Sequence, residues 1–349
     1  MKLDYRRAIT ATALAALLTV GGCAPATAPP EPAGPAYAPG ARTLLDAHNC
    51  YPYHGQWVNR IDRALAAGTP LAIEQDLYWY TNPETGESRS ILAHNEPFTG
   101  AEPGMKEYFF ERIRPVVEEA IAKSDRSQWP LITLNLDFKS AEPEHLQAVW
   151  NLLGEYQPWL TTAERTADAS RIMPLDVGPL LVLTGEPDGQ QAAFHDAVPV
   201  GAKLRLFGAI ATNRAEGIAT DELRWKFQAT ASPEELIGGK PDNYRRWWNN
   251  SWYAVEEGGA SRGGDWNERD QARLKSLVNF AHKNGLWIRF YTLNGHDPMD
   301  ESSGWSPGYN FGGAEAVNLR WRAAIAAGVD FVATDQYEGF AAAARERRR

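Results

Sequence analysis

TPLAIEQDLYW (residues 69–79) and WPLITLNLDFKS (129–140) are apolar segments with polar side chains at alternate positions, and MKEYFFERIRPVVEEAIAKSD (105–125) between them has helical periodicity. A strand, a long amphipathic helix and a second strand in that order form a crossover unit, the connection that parallel strands need. The same alternation continues in both directions. ARTLLDAHN (41–49) reads as a strand running into a loop, RIDRALAAG (60–68) as a helix stopped by glycine, and SILAHNEP (90–97) as another short strand. Pro115 marks a bend or break in the long helix. Further on, the helix EPEHLQAVWNLLGEY (142–156) precedes the strands GPLLVLTGEP (178–187) and KLRLFGAI (203–210). The helix NERDQARLKSLVNFAHKNG (267–285), the strand LWIRFYTLNG (286–295), the helix GGAEAVNLRWRAAIAAG (312–328) and the strand VDFVATDQ (329–336) close the series. About eight strands alternating with helices predict an α/β fold, a (β/α)8 TIM barrel, with distorted or incomplete closure allowed. A doubly wound sheet fits the periodicity alone. Residues 236–266 are rich in Trp, Asn and Gly and read as a long functional or substrate-covering loop.

The first forty residues have a different character. Lys2, Arg6 and Arg7 precede the uncharged run ITATALAALLTV (9–20) and then VGGC (20–23), the pattern of a bacterial lipoprotein signal peptide over residues 1–22 with Cys23 as the lipidated residue. The Pro/Ala-rich stretch 23–41 reads as an extended linker. The domain is expected over 42–343, with a basic tail at 344–349. These features predict a lipid-anchored protein of the bacterial cell envelope, or a secreted one, that associates with the membrane through its N-terminal lipid. The chain has 35 basic and 44 acidic residues, a formal charge of −9. Loss of residues 1–22, with their three basic and one acidic side chains, makes it −11. Such a balance argues against nucleic-acid binding. With Cys23 lipidated, Cys50 is left alone, which excludes an intrachain disulfide and a cysteine zinc cluster.

Glu74 and Asp76, two apart on one strand, face the same way, while Ile73 and Leu77 face the other. At the mouth of a barrel they would form an oxygen site for one hard divalent cation, Mg2+ or Ca2+. His48 and His94 end two flanking segments, each in an Ala-His-Asn triplet, and two histidines can divide proton removal from proton donation. Asn135, Asp137 and Lys139 share one face of their strand. Asp137 is a candidate third acid, and Lys139 a candidate contact for an anionic substrate oxygen. Arg205, Arg289, Tyr291 and Asp335 are further candidate rim residues. Aromatic side chains in NYRRWWNNSWYAVEEGG (243–259) suit either a lipid interface, a sugar-like head group or a packed loop.

The series His48-Asn49, Glu74-Gln75-Asp76 and His94 resembles that of the superfamily joining phosphoinositide-specific phospholipases C with glycerophosphodiester phosphodiesterases. The resemblance implies Asn49, Glu74, Asp76 and Asp137 as metal ligands, His48 and His94 as the catalytic pair, and Lys139 as a phosphate contact. FYTLN (290–294) is similar to the W-T-x-N strand of the glycerophosphodiesterases, and AGVDFVATDQYEGF (327–340) to their closing G-V-D-G-I-x-T-D segment. The chain departs from their H-R-G opening with His48-Asn49-Cys50, and it lacks their P-E-N-T segment. The implied activity is metal-dependent hydrolysis of a phosphodiester, in a phospholipid or a glycerophosphodiester, by a phospholipase C-like monomer. Two-histidine catalysis would run either through a cyclic phosphate or by direct hydrolysis, with Lys139, Arg289 and Tyr291 contacting substrate. The alternatives are glycoside hydrolysis by Glu74 and Asp76, and a noncatalytic lipid- or carbohydrate-binding lipoprotein.

Overall fold

The computed structural model describes residues 37–53, 55–129, 131–214, 217–218, 220–297 and 309–346. Cys23, the signal segment, most of the linker and the last three residues of the basic tail lie outside these residues. Eleven strands are present among them: β1 (Leu44–Ala47), β2 (Leu71–Thr81), β3 (Ser88–Leu92), β4 (Ile132–Phe138), β5 (Ala163–Glu164), β6 (Leu180–Thr184), β7 (Lys203–Leu204), β8 (Phe207–Ala209), β9 (Arg245–Ser251), β10 (Trp287–Tyr291) and β11 (Phe331–Thr334). Eight of them, β1, β2, β4, β6, β8, β9, β10 and β11, pair in parallel in that order. The pairing of Asp46 with Ala72 and of Ala47 with Ile73 joins β1 to β2 and closes the cylinder. The fold is a (β/α)8 barrel.

The helices α1 (Arg60–Ala67), α2 (Glu111–Lys123), α3 (Pro143–Glu155), α4 (Asp188–Gln191), α5 (Asp221–Thr230), α6 (Pro233–Leu236), α7 (Gly259–Arg262), α8 (Glu268–Lys283), α9 (Ala314–Ala327) and α10 (Tyr337–Glu346) occupy the connections and the C-terminal end. Pro115 falls in the first turns of α2, whose helix continues through it to Lys123. Asn267 and Asp270 form a reciprocal cap that starts α8. No helix among the described residues is long and apolar enough to cross a membrane.

Two parts of the expected strand series change. SILAHNEP does not supply a barrel stave: β3 pairs antiparallel with β2, Leu77 opposite Leu92, and extends it outside the cylinder. The missing stave is β9, inside the segment expected to be a substrate-covering loop. Trp247, Trp248 and Trp252 are fully buried. Trp247 packs among the residues that fill the barrel and donates from Nε1 to Thr184 O at 2.9 Å, whereas Trp248 packs in the outer layer and donates to Thr212 Oγ1 at 3.0 Å. Both faces of this strand are buried, so it lacks the polar/apolar alternation that betrays a half-buried one. Tyr37 is also ordered, within the stretch expected to be linker: it is buried at the base of the barrel, where Trp287 Nε1 donates to its carbonyl at 2.8 Å.

The inward positions change character along each strand. At the base, Ala72, Leu131, Leu181, Trp247, Trp287 and Phe331 form one apolar cluster. Two to six residues onward on the same faces stand Glu74 and Asp76, Asn135 and Asp137, Asn249, and Arg289 and Tyr291. A strand keeps its face with period two, so one apolar plug and one polar mouth follow from the same pleat.

Candidate active site

The polar mouth is a cavity of about 400 Å³ lined by His48, Asn49, Glu74, Asp76, His94, Asn135, Asp137, Lys139, Arg289 and Tyr291, among others. It therefore gathers all the residues expected to be catalytic, metal-binding or substrate-binding. Of the expected rim residues, Asp335 is buried behind His48 and does not itself line the cavity, and Arg205 lies away from it. Arg205 stands over the Trp150 ring at 4.4 Å and donates to Gln157 Oε1 at 2.8 Å, packed against α3.

His48 and Asn49 leave β1 in a turn. Asn49 has a φ of 50°, a left-handed conformation that asparagine tolerates better than most residues. Its backbone N–H donates to Glu74 Oε2 at 3.1 Å, and its side-chain nitrogen donates to Asp335 Oδ1 at 3.0 Å. Its side-chain oxygen accepts from the Tyr51 hydroxyl at 3.1 Å, and that hydroxyl also lies 2.8 Å from Asp76 Oδ2. Tyr51 thus holds the amide oxygen of Asn49 beside the acids.

His48 stands between two carboxylates. Nδ1 lies 3.2 Å from Asp335 Oδ2 and Nε2 lies 3.4 Å from Glu74 Oε2. Burial opposes the imidazolium, but Glu74 and Asp335 outweigh it and hold the His48 pKa up to about 9. Asp335 is itself fixed by Asn294, which donates to Oδ2 at 2.6 Å and accepts from its backbone N–H at 2.8 Å. The buried Arg289 donates to Asp46, to Glu74 Oε1 at 2.9 Å and to Asn249 Oδ1 at 2.9 Å. Burial raises the Glu74 pKa in isolation; His48, Arg289 and Lys139 reverse this and hold it below the usual carboxylate range.

Glu74, Asp76 and Asp137 each offer an oxygen within 4.8 Å of the others. Register explains the grouping, because Asp76 and Asp137 are direct partners across β2 and β4. Burial, and then the neighbouring Asp137 charge, raise the Asp76 pKa. The donor set fits a hard divalent cation. All three donors are carboxylates, and the buried Asp76 Oδ1 has no hydrogen-bond partner among the described residues. Lys139 lies among the same acids, donating to Asp137 Oδ2 at 2.7 Å with its ammonium 3.1 Å from Asp76 Oδ2. His94, with 45% of its side chain exposed, brings Nε2 to 4.0 Å from Asp76 Oδ2. Partial burial and the Lys139 charge lower its pKa.

The sequence reading named Asp335 without a partner, reached Asn294 only within the FYTLN resemblance, and passed over Asp46, Tyr51, Asn249 and Tyr309. Asp46 had a usable signal, since it stands two before His48 on the same strand face. Tyr309 had none: its ring meets His48 edge-on at 6.0 Å from a distant loop.

No family model matches the chain, and no curated protein sequence matches it. Among solved structures, the chain is similar to a glycerophosphoryl diester phosphodiesterase from Parabacteroides distasonis, at 12% identity and TM-score 0.41 over 88% of this chain and 87% of that one. It is also similar to a calcium-dependent phosphoinositol-specific phospholipase C from a Pseudomonas species, at 13% identity and TM-score 0.43 over 85% and 89% of the two chains. A third similar structure is an HPPK-DHPS protein of Plasmodium falciparum, at 7% identity and TM-score 0.42 over 89% of this chain and 49% of that one. The similarity extends no further than the fold.

Proposed function

We propose that the protein is a metal-dependent phosphoric diester hydrolase acting on a phospholipid or a glycerophosphodiester. The observation that carries this reading is one cluster of three carboxylates, Glu74, Asp76 and Asp137, with a histidine against each of two members, His48 at Glu74 and His94 at Asp76. These carboxylates, with the Asn49 amide oxygen, would hold one Mg2+ or Ca2+. When bound, the cation supplies positive charge that neutralises the nonbridging oxygens of the diester. His48, oriented through Nδ1 by Asp335, presents Nε2 at the cavity and moves a proton there, to or from the attacking or the leaving oxygen. His94, half exposed at the rim, carries out the complementary transfer. Lys139 and Tyr291 line the same cavity and contact the anionic substrate. Lipidation at Cys23 would hold the domain at a membrane surface, within reach of such substrates.

A second reading has one observation in its favour: the Lys139 ammonium already stands between Asp76 and Asp137 and could itself supply the cationic charge. One experiment decides both. A panel of glycerophosphodiesters, lysophospholipids and phosphoinositides is incubated with Mg2+, Ca2+ or chelator, and products are identified by mass. Turnover that chelator abolishes supports the metal-dependent hydrolase, and undiminished turnover in chelator supports the lysine. No turnover of any diester overturns the hydrolase reading.

A further inference from the structure

The polar mouth does not end at the acids. A second cavity of about 340 Å³ adjoins it and shares the side chains of Arg214, Gln228, Asn250, Tyr291 and Tyr309. Each cavity is of ligand size by itself. One wall of the second cavity is α5 and the other is the chain following β9. Arg273 of α8 ties the walls together, donating to Gln228 O at 2.8 Å, Ala231 O at 2.6 Å and Ala254 O at 3.0 Å. Trp225 of α5 stacks on Tyr253 with ring centres 5.7 Å apart and planes 24° apart. Tyr253 can take this position because residue 259 is glycine: a Cβ there would lie 2.3 Å from the Tyr253 ring.

Most of the side chains lining this groove are uncharged amides and hydroxyls, with Arg214, Asp221 and Arg224 as its charged members. Ile218 is the single aliphatic side chain among its described lining residues, which does not suit an acyl chain. Arg224 is bonded to Asp221 and Arg214 lies 3.9 Å from Glu186, so the two cations are already balanced by carboxylates and a second phosphate is poorly served. The uncharged groups on the shared wall are placed differently. The side-chain amide of Gln228 and the hydroxyls of Tyr291 and Tyr309 border the cavity without a hydrogen bond to another described side chain. Aromatic surfaces interleaved with amides and hydroxyls recognise a sugar ring, whose C–H faces rest on aromatic carbon while its hydroxyls exchange hydrogen bonds with the polar groups.

We propose that the groove beside the acidic cluster holds a neutral sugar ring of the substrate, one unit beyond the alcohol esterified to phosphorus. The substrate class is then a glycosylated phosphodiester. This inference rests on the hydrolase reading above and deepens it.

The test compares glycerophosphoglycerol with its glucosylated counterpart, by kcat/KM and by calorimetric binding, in the wild type and in Trp225→Ala and Tyr253→Phe, with melting curves verifying the fold. Trp225 and Tyr253 border the second cavity and not the first. The wild type is expected to prefer the glucosylated diester at least ~10-fold, the scale of about 1.4 kcal/mol. Trp225→Ala should erase that preference and leave turnover of glycerophosphoglycerol unchanged, and Tyr253→Phe should reduce it. Equal turnover of both diesters by the wild type, or a preference that survives in both variants, overturns the groove while leaving the hydrolase intact. Conversely, if neither diester is cleaved yet the glucosylated one binds the wild type more tightly than Trp225→Ala, the sugar site stands, and the hydrolase reading is decided by the wider panel above. Absence of both turnover and binding overturns the sugar site as well.

Discussion

Arg289 is the residue on which the site most depends for its shape. It is 1% exposed and compensates two buried carboxylates, Asp46 and Glu74, from one guanidinium. The planar fork is the reason: three directed donors reach Asp46, Glu74 and Asn249 together, which a lysine cannot imitate. Arg289→Ala is therefore expected to destabilise the domain by about 3–5 kcal/mol, the range for removing one partner of a buried ion pair. Denaturant titration measures it, and Arg289→Lys should recover little. The sequence reading placed Arg289 at the rim as a substrate contact. Its three engaged donor groups show why a single side chain cannot be assigned from sequence: the partners come from β1, β2 and β9, up to 243 positions away.

At the scale of elements, α3 and the β2–β3 extension are joined by His145. Its ring is fully buried, with Nε2 2.8 Å from Ser90 Oγ and Nδ1 3.0 Å from Ser140 Oγ, and it stacks on Trp79 at 5.5 Å. Burial pushes its pKa down from the usual 6.5 to about 4. The folded state therefore refuses a proton that the unfolded chain accepts below pH 6.5. This contribution to stability is complete above that pH and is lost as pH falls toward 4, by roughly 3 kcal/mol over the interval. Urea titrations at pH 7 and pH 4 check it: His145→Gln should lose about 3 kcal/mol less than the wild type between the two. The strand β3 itself was legible as a strand but not as an outlier, because an antiparallel extension and a parallel stave have the same local pattern. For β9 the obstacle was composition, since RRWWNNS is poor in β-branched residues and its tryptophans are driven into both faces by packing.

For the whole molecule, the proposed cation site at the acidic mouth would couple metal binding to stability. A cation bound by the folded acids and not by the unfolded chain raises the melting temperature with its concentration. At a cation concentration 100 times the dissociation constant the gain is about 2.7 kcal/mol. Thermal melts with Mg2+ and with Ca2+ should move upward, and in Asp76→Asn the shift should shrink, because one of the three donors loses its charge.

Local chemistry determined the alternation of strands and helices, the shared face of Glu74 with Asp76 and of Asn135, Asp137 and Lys139, and the candidate histidines, because period two and period 3.6 are properties of neighbouring residues. Closure of the cylinder was decided only in three dimensions, when β9 rather than SILAHNEP took the eighth place. So were the Asp335–His48–Glu74 alignment, the Tyr51 bridge between Asn49 and Asp76, and the groove along α5. Each of these depends on register and on contacts between distant segments, which chain order alone does not encode.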